Sequence, residues 1–256
     1  MDEVKYRVDG RIAQIALDRP ERLNAMTNAM YDEIGRFLRE AEADPAVRCI
    51  IVTGDGGRAF SAGHDLYEMG GDRSARAAWQ PYRPRRWDNG LECAKPTIAV
   101  IDGYCLAGGL ELALFCDIRL ASTRSQFGSP EVKWNILHGY GALRLPDMIG
   151  MSNTMYLLLS GDFVDADTAL RVGLVSHVFP HEELQAAARE IAERVAGNGP
   201  SAARLIKELA YRGRDLPLQE GLRLYKEYSR IASSTEDNRE GTRAFAEKRT
   251  PEFKDA

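Results

Sequence analysis

Cysteine is scarce: the 256 residues hold four, Cys49, Cys93, Cys105 and Cys116, all in apolar surroundings and none in CxxC spacing. That excludes a disulfide frame and a zinc ribbon, and it leaves reduced core residues of the kind found in cytosolic proteins. A basic excess is missing too. Lys and Arg total 34 against 38 Asp and Glu, a formal net charge of −4, whereas duplex nucleic-acid binders carry clustered positive charge. No apolar run is long enough to span a membrane, and the opening "MDEVKYRVDG" lacks the charged-then-apolar order of a secretory signal. Several familiar site signals also fail. "GYGALR", from Gly139, lacks the third glycine of a dinucleotide fingerprint, and "HEELQ", from His181, has glutamine where a zinc-binding helix needs its second histidine. No GxSxG elbow exists. "YRPRRW", Tyr82 to Trp87, reads as a solvated face on so acidic a chain. The expectation is a soluble cytoplasmic protein without nucleic-acid, membrane or metal partners.

What is present is ordinary globular material, 44% hydrophobic and 28% charged, enough for a full core in one or two domains. "VKYRV" and "IAQIALD" flank Asp9-Gly10 and predict a hairpin with a type I′ turn. Met30, Ile34, Phe37, Leu38 and Ala41 keep helical spacing over residues 28–42, stopped by Asp44-Pro45. "VRCIIVTG" and "TIAVIDG" predict buried strands, "GGLELALFCD" a helix, and "IRLAS" and "QFGSPE" short extended pieces. The polar stretch from Gly70 to Gly90 reads as helix and loop. From Ser152 onward the pattern is mostly helical, with "LVSHVF" as one extended return. Alternating strands and helices imply an α/β fold with parallel strands. The change of character suggests a core over 1–195 and a helical region over 196–256. No internal repeat of fixed period is visible.

One constellation carries chemistry. In "YCLAGGLELALFCDIRLA" the adjacent Gly108 and Gly109 precede Glu111, the one carboxylate before the end of an otherwise apolar helix. Glycines at a helix N-terminus let a substrate oxygen approach backbone N–H groups that have no intrahelical partner, and the helix end favours developing negative charge. "SAGHD", Ser61 to Asp65, is a second small-residue turn that supplies another N–H, most naturally that of His64. Two such donors make an oxyanion hole, each worth about 2.7–4 kcal/mol to an enzyme that uses it. A second carboxylate stands in "FGSPEVKW", at Glu131. Each feature also has an ordinary reading, since a first-turn glutamate suits the helix dipole and Pro-Glu opens many helices. Their joint occurrence favours a site.

At these residues the sequence resembles the crotonase family, the enoyl-CoA hydratase/isomerase superfamily. "LDRPERLNAM", "IIVTGDGGRAFSAGHDLYEM", "KPTIAVIDGYCLAGGLELALFCDIRLAS", "QFGSPEVKWNILHGYGALRLPDMIG", "ALRVGLVSHVFP" and "GTRAFAEKRTPEFK" keep the family's order over essentially the whole chain. The resemblance implies a crotonase-type spiral of repeated strand-strand-helix units with a C-terminal helical trimerisation region. It further implies homotrimers, often paired into hexamers. It implies that His64 and Gly108 N–H groups hold a thioester oxygen and that Glu111 and Glu131 are the catalytic pair. Arg22, Leu23, Ala25, Ala62, His64, Asp65, Leu66, Tyr67 and Gly108 would lie along an acyl-CoA thioester, and Lys248 would reach a CoA phosphate. Trp134, His138 and Tyr140 replace the family's "PGAGG"-like turn and would line the acyl pocket, with His138 and Tyr140 also candidate proton-transfer groups. A bulkier packed turn at a subunit contact is the alternative.

Two glutamates beside an oxyanion hole suit addition of water to a 2-enoyl-CoA, or dehydration of a 3-hydroxyacyl-CoA, with no cofactor beyond the CoA of the substrate. Two alternatives stay open. One is another reaction of the family, such as double-bond isomerisation or hydrolysis of a cyclic β-keto acyl-CoA. The other is a non-catalytic CoA- or RNA-binding relative.

Overall fold

The computed structural model describes residues 3–69 and 93–256. The Gly70 to Gly90 stretch and "YRPRRW" lie outside the described residues. Strands β1 (Val4–Asp9) and β2 (Ile12–Leu17) form the expected antiparallel hairpin. Its two-residue loop is Gly10-Arg11, one position later than Asp9-Gly10, because Asp9 pairs with Ile12. Gly10 alone of the two takes a positive φ, +61°. That is the II′ requirement, with glycine at the first central position, and not the type I′ turn.

Eight further strands follow among the described residues: β3 (Cys49–Gly54), β4 (Ala59–Ser61), β5 (Thr97–Ile101), β6 (Tyr104–Leu106), β7 (Ile118–Ser122), β8 (Gln126–Gly128), β9 (Phe163–Asp165) and β10 (His177–Phe179). They divide between two sheets. One has six strands in the order β1-β2-β3-β5-β7-β10, the other four in the order β4-β6-β8-β9. The chain therefore gives one strand to the large sheet, the next to the small one, and returns. In the large sheet β2, β3, β5, β7 and β10 are parallel, and in the small sheet β4, β6 and β8 are parallel. This is the α/β spiral.

Helices α1 (Asn28–Ala43), α2 (Leu66–Met69), α3 (Gly108–Phe115), α4 (Gly139–Ile149), α5 (Met151–Ser160), α6 (Ala166–Val172), α7 (Leu184–Gly197), α8 (Pro200–Arg214), α9 (Leu218–Ser234) and α10 (Glu236–Glu247), with two 3-10 turns, Pro20–Arg22 and Pro130–Trp134, complete the described elements. The start of α1 follows from Thr27, whose Oγ1 accepts from Met30 N at 3.2 Å, as an N-cap does. Its end is held by Lys95, whose buried ammonium donates to Ala41 O at 2.8 Å and Asp44 O at 2.5 Å.

The large sheet is covered on both faces, which explains why "CIIV" and "TIAVI" are continuously apolar instead of alternating. Ile50, Val52, Ala99 and Ile101 share one core with buried side chains of α1 and α3. Cys49, Ile51, Ile98 and Val100 face Leu184, Ala188, Ala192 and Ala196 of α7. Successive side chains point to opposite faces, so one strand serves two cores. All four cysteines are buried and free. Burial pushes the Cys49 thiol up to about 12 and that of Cys93 to about 11, leaving both unreactive at neutral pH.

Candidate active site

The small sheet positions the site. His64 follows β4, Gly108 follows β6, and Glu131 follows β8. These three strands are parallel neighbours, so their C-terminal ends open side by side.

The "ERLNA" and "SAGHD" segments are joined by backbone bonds. Ala62 N donates to Leu23 O at 2.9 Å, Met26 N to Gly63 O at 2.7 Å and Asp65 N to Met26 O at 2.9 Å. Leu23 and Asn24 both take left-handed φ, 53° and 54°. The buried amide of Asn24 holds this turn: its Oδ1 accepts from Arg19 N at 2.8 Å, and its Nδ2 donates to Ala59 O at 2.8 Å and Asp55 O at 3.0 Å. Ser61 Oγ donates to Asn24 O at 2.8 Å. Neither residue was among the sequence-derived candidates.

His64 and Gly108 come together through their backbones. A Cβ placed on Gly108 would lie 3.4 Å from His64 N, and one on Gly63 would lie 3.0 Å from Gly108 N. Gly108 opens α3, where N–H groups lack intrahelical acceptors. Before it, Ala107 holds φ +53° and ψ −130°, a conformation that costs a non-glycine residue about 1–3 kcal/mol. Its N–H is tied to Gly128 O at 3.0 Å, which links the second and third segments of the site. Tyr31 of α1 also belongs here. Its ring stacks on that of His64 at 5.4 Å, and its hydroxyl would lie 2.7 Å from a Cβ on Gly108.

Glu111 is the half-buried member of a helix whose other residues are buried. Its Oε1 accepts from Tyr140 N at 3.0 Å. Glu131 sits on a 3-10 turn, Pro130–Trp134, and its Oε2 accepts from Ser129 Oγ at 3.0 Å. The two carboxylates meet at one side chain, His138, which is 3% exposed against 23% for Glu111 and 14% for Glu131. His138 Nδ1 lies 3.1 Å from Glu131 Oε1, and Nε2 lies 3.8 Å from Glu111 Oε1. Burial is the largest single influence on the Glu131 carboxyl and pushes it up. The contact with His138, with a backbone N–H and Ser129, outweighs burial and holds it below the ordinary glutamate range.

The remaining candidates are spread more widely. Asp65 is 7% exposed at its side chain and paired with Arg19 Nη1 at 2.6 Å. Its Oδ1 accepts from Tyr67 N at 2.9 Å, so its carboxylate is occupied in holding the loop. Tyr67 is 82% exposed, Leu66 is exposed beside it, and the Arg22 guanidinium lies 5.3 Å from the Tyr67 ring centroid. Ala25 and Ala62 are half-buried. Trp134 is 69% exposed, while His138 is buried between the glutamates. Lys248 caps α10 with φ 55° and is exposed.

Comparison with known proteins places this geometry. The pattern of the enoyl-CoA hydratase/isomerase family matches residues 7–256. A probable enoyl-CoA hydratase of Mycobacterium bovis is 39% identical over 246 residues, covering 96% of this chain and 95% of that protein. An (E)-benzylidenesuccinyl-CoA hydratase of Thauera aromatica is 35% identical, covering 99% of each. A solved enoyl-CoA hydratase from Geobacillus kaustophilus superposes with a TM-score of 0.92 at 36% identity, covering 99% of this chain and 98% of that one. The winding of strands between two sheets and this near-complete overlap lead to one conclusion: the chain belongs to the enoyl-CoA hydratase/isomerase family, the crotonase superfamily.

Proposed function

We propose that the protein adds water to a 2-enoyl-CoA, or removes it from a 3-hydroxyacyl-CoA. The observation that carries this reading is the convergence of Glu111 and Glu131 on His138, beside the paired backbone nitrogens of His64 and Gly108. The two N–H groups bind the thioester oxygen and draw charge from the conjugated double bond, which makes the β-carbon electrophilic. Glu111 takes a proton from the attacking water, and Glu131, having first taken up a proton from solvent, delivers it to the α-carbon and is left ionised. In dehydration the same carboxylates exchange roles. Glu131 is suited to proton exchange because its ionised form is stabilised within a largely buried site.

The CoA moiety runs along Ala62 to Tyr67 and the "ERLNA" turn, with Arg22 and Tyr67 exposed at the entrance. Lys248 contributes from the tail, and Trp134 and Tyr140 border the acyl end. The 196–256 region builds a homotrimer or a dimer of trimers. Large apolar side chains left exposed in that region, Ile206, Leu218 and Phe245 among them, support that assembly.

The test follows the 2-enoyl-thioester absorbance with short, long, branched and aromatic enoyl-CoAs. Wild type removes the absorbance of at least one, and Glu111→Gln and Glu131→Gln each lose about 10²–10⁴-fold in kcat. Absorbance unchanged across the panel, with CoA still bound, overturns the reading.

A further inference from the structure

Both nitrogens of the His138 ring face carboxylates of the proposed reaction, and they do so unequally. Nδ1 is engaged: it lies 2.6 Å from Ser129 Oγ and 3.1 Å from Glu131 Oε1. Nε2 has no hydrogen-bond partner among the described residues, although the side chain is 3% exposed. The nearest carboxylate oxygen in front of it is Glu111 Oε1 at 3.8 Å, beyond hydrogen-bond reach. A buried ring nitrogen left unpaired is destabilising, so its retention calls for a reason.

The tautomer follows from counting hydrogens. Ser129 Oγ has one, which it donates to Glu131 Oε2 at 3.0 Å. An ionised Glu131 has none to give. With Glu131 ionised, the hydrogen shared among Ser129 Oγ, Glu131 Oε1 and Nδ1 comes from the ring, so Nδ1 is the N–H, and in the neutral ring Nε2 carries the lone pair. Gly141 keeps that lone pair where it is, because a Cβ on Gly141 would overlap Cδ2 and Nε2 of the ring. Among the described residues, the titratable groups facing the ring are Glu111 from α3 and Glu131 from the 3-10 turn. From its own helix, Tyr140 gives its backbone N–H to the same Glu111 oxygen.

We propose that the bare Nε2 of His138 is a built-in acceptor for the proton that Glu111 takes from the attacking water. This rests on the hydration reading. As the water O–H bond breaks, its hydroxide joins the β-carbon and its proton forms an O–H bond on Glu111. That new O–H donates a hydrogen bond to Nε2, closing the 3.8 Å gap. Glu111 is thereby a stronger base than its carboxylate alone. Once Glu131 has given its proton to the α-carbon, Nδ1–H bonds the ionised carboxylate, so one ring holds one glutamate and assists the other. His138 is a positioning residue here, since it acts through the glutamates and does not touch the substrate.

Two measurements test it. The first needs no substrate: ¹⁵N NMR of histidine-labelled enzyme at neutral pH reads which ring nitrogen of His138 carries hydrogen. Hydrogen on Nδ1 alone is expected; hydrogen on Nε2, alone or in addition, overturns the proposal. The second compares wild type with His138→Asn, which keeps an amide N–H at the Nδ1 position and loses Nε2. The expected result is a fall in kcat of about tenfold or more with KM within about twofold. The acidic limb of kcat/KM also moves to lower pH, because protonated Glu111 has lost its acceptor. An unchanged kcat, or a lower kcat with the limb in place, overturns it. Should wild type hydrate none of the enoyl-CoAs, the hydratase reading fails separately, while the NMR result still decides the state of Nε2.

Discussion

Gly63 and Gly108 lie backbone against backbone. A Cβ on Gly63 would stand 2.6 Å from Ala107 Cβ and 3.0 Å from Gly108 N. Gly63 also has φ +102°, which no other residue type takes easily. The closeness of the two proposed oxyanion donors thus depends on two missing methyl groups.

Gly108→Ala is therefore expected to lower kcat by about 10²-fold or more while the protein stays folded. The added methyl meets the movable Tyr31 hydroxyl at 2.7 Å and crowds His64 N at 3.4 Å. Steady-state kinetics with circular dichroism as the folding check decides it. A variant with wild-type kcat shows that the thioester oxygen binds elsewhere.

Gly141 and Gly139 make a paired test within one helix. At Gly139 nothing lies within 4 Å of an added Cβ, so Gly139→Ala raises stability by about 0.5 kcal/mol through lower unfolded-state entropy. Gly141→Ala drives a methyl into the buried His138 ring, a strain of about 1–3 kcal/mol that exceeds the same helical gain. Urea unfolding of the two variants should show opposite signs.

Glu131 makes stability depend on pH. Its folded carboxyl lies below the ordinary value of 4.5, so its contribution is fully present above that pH and is lost as pH falls through the lower folded value. The difference in unfolding free energy between wild type and Glu131→Gln should be flat from pH 7 to about 5.5 and shrink in more acid solution. A difference that grows on acidification contradicts the sign of the shift.

Arg19 holds the CoA-side loop from beneath. Its Nη1 bonds Asp65 Oδ2 at 2.6 Å and Ala25 O at 3.2 Å. Arg19→Gln leaves the buried Asp65 carboxylate with Tyr67 N as its hydrogen-bond donor among the described residues and is expected to cost about 1–3 kcal/mol. KM should rise several-fold with kcat within about twofold, since Arg19 does not reach the reacting carbons. A selective loss of kcat would place Arg19 in the chemistry instead.

The large sheet and the long helices were legible in the sequence, because "CIIV" and "TIAVI" are long enough to show burial on both faces and α1 has helical spacing. The small sheet was not. Ala59–Ser61, Tyr104–Leu106 and Phe163–Asp165 have three residues each, too short for a period of two to declare itself. The helix Gly139–Ile149 hid behind two glycines and the internal Pro146. Glu111, Glu131, His64 and Gly108 were singled out by their motifs, and the fold brings them together. Ser129, Gly141 and Tyr31 were missed. Nothing local marks a serine two residues before a glutamate, or a glycine that matters because an imidazole needs its space. The histidine was noticed, but its burial between two carboxylates is a property of the folded chain.

The alternation of the chain between sheets has a further consequence for how such a site can diversify. His64, Gly108 and Glu131 each stand just past the end of a different strand of the small sheet. The hydrogen-bonded spacing between neighbouring strands, about 4.8 Å, acts as a ruler that sets their separation whatever the length of chain between them. Each reactive group occupies its own graduation on that ruler. One can be exchanged without moving the others, so new chemistry is reachable by single replacements on an unchanged scale.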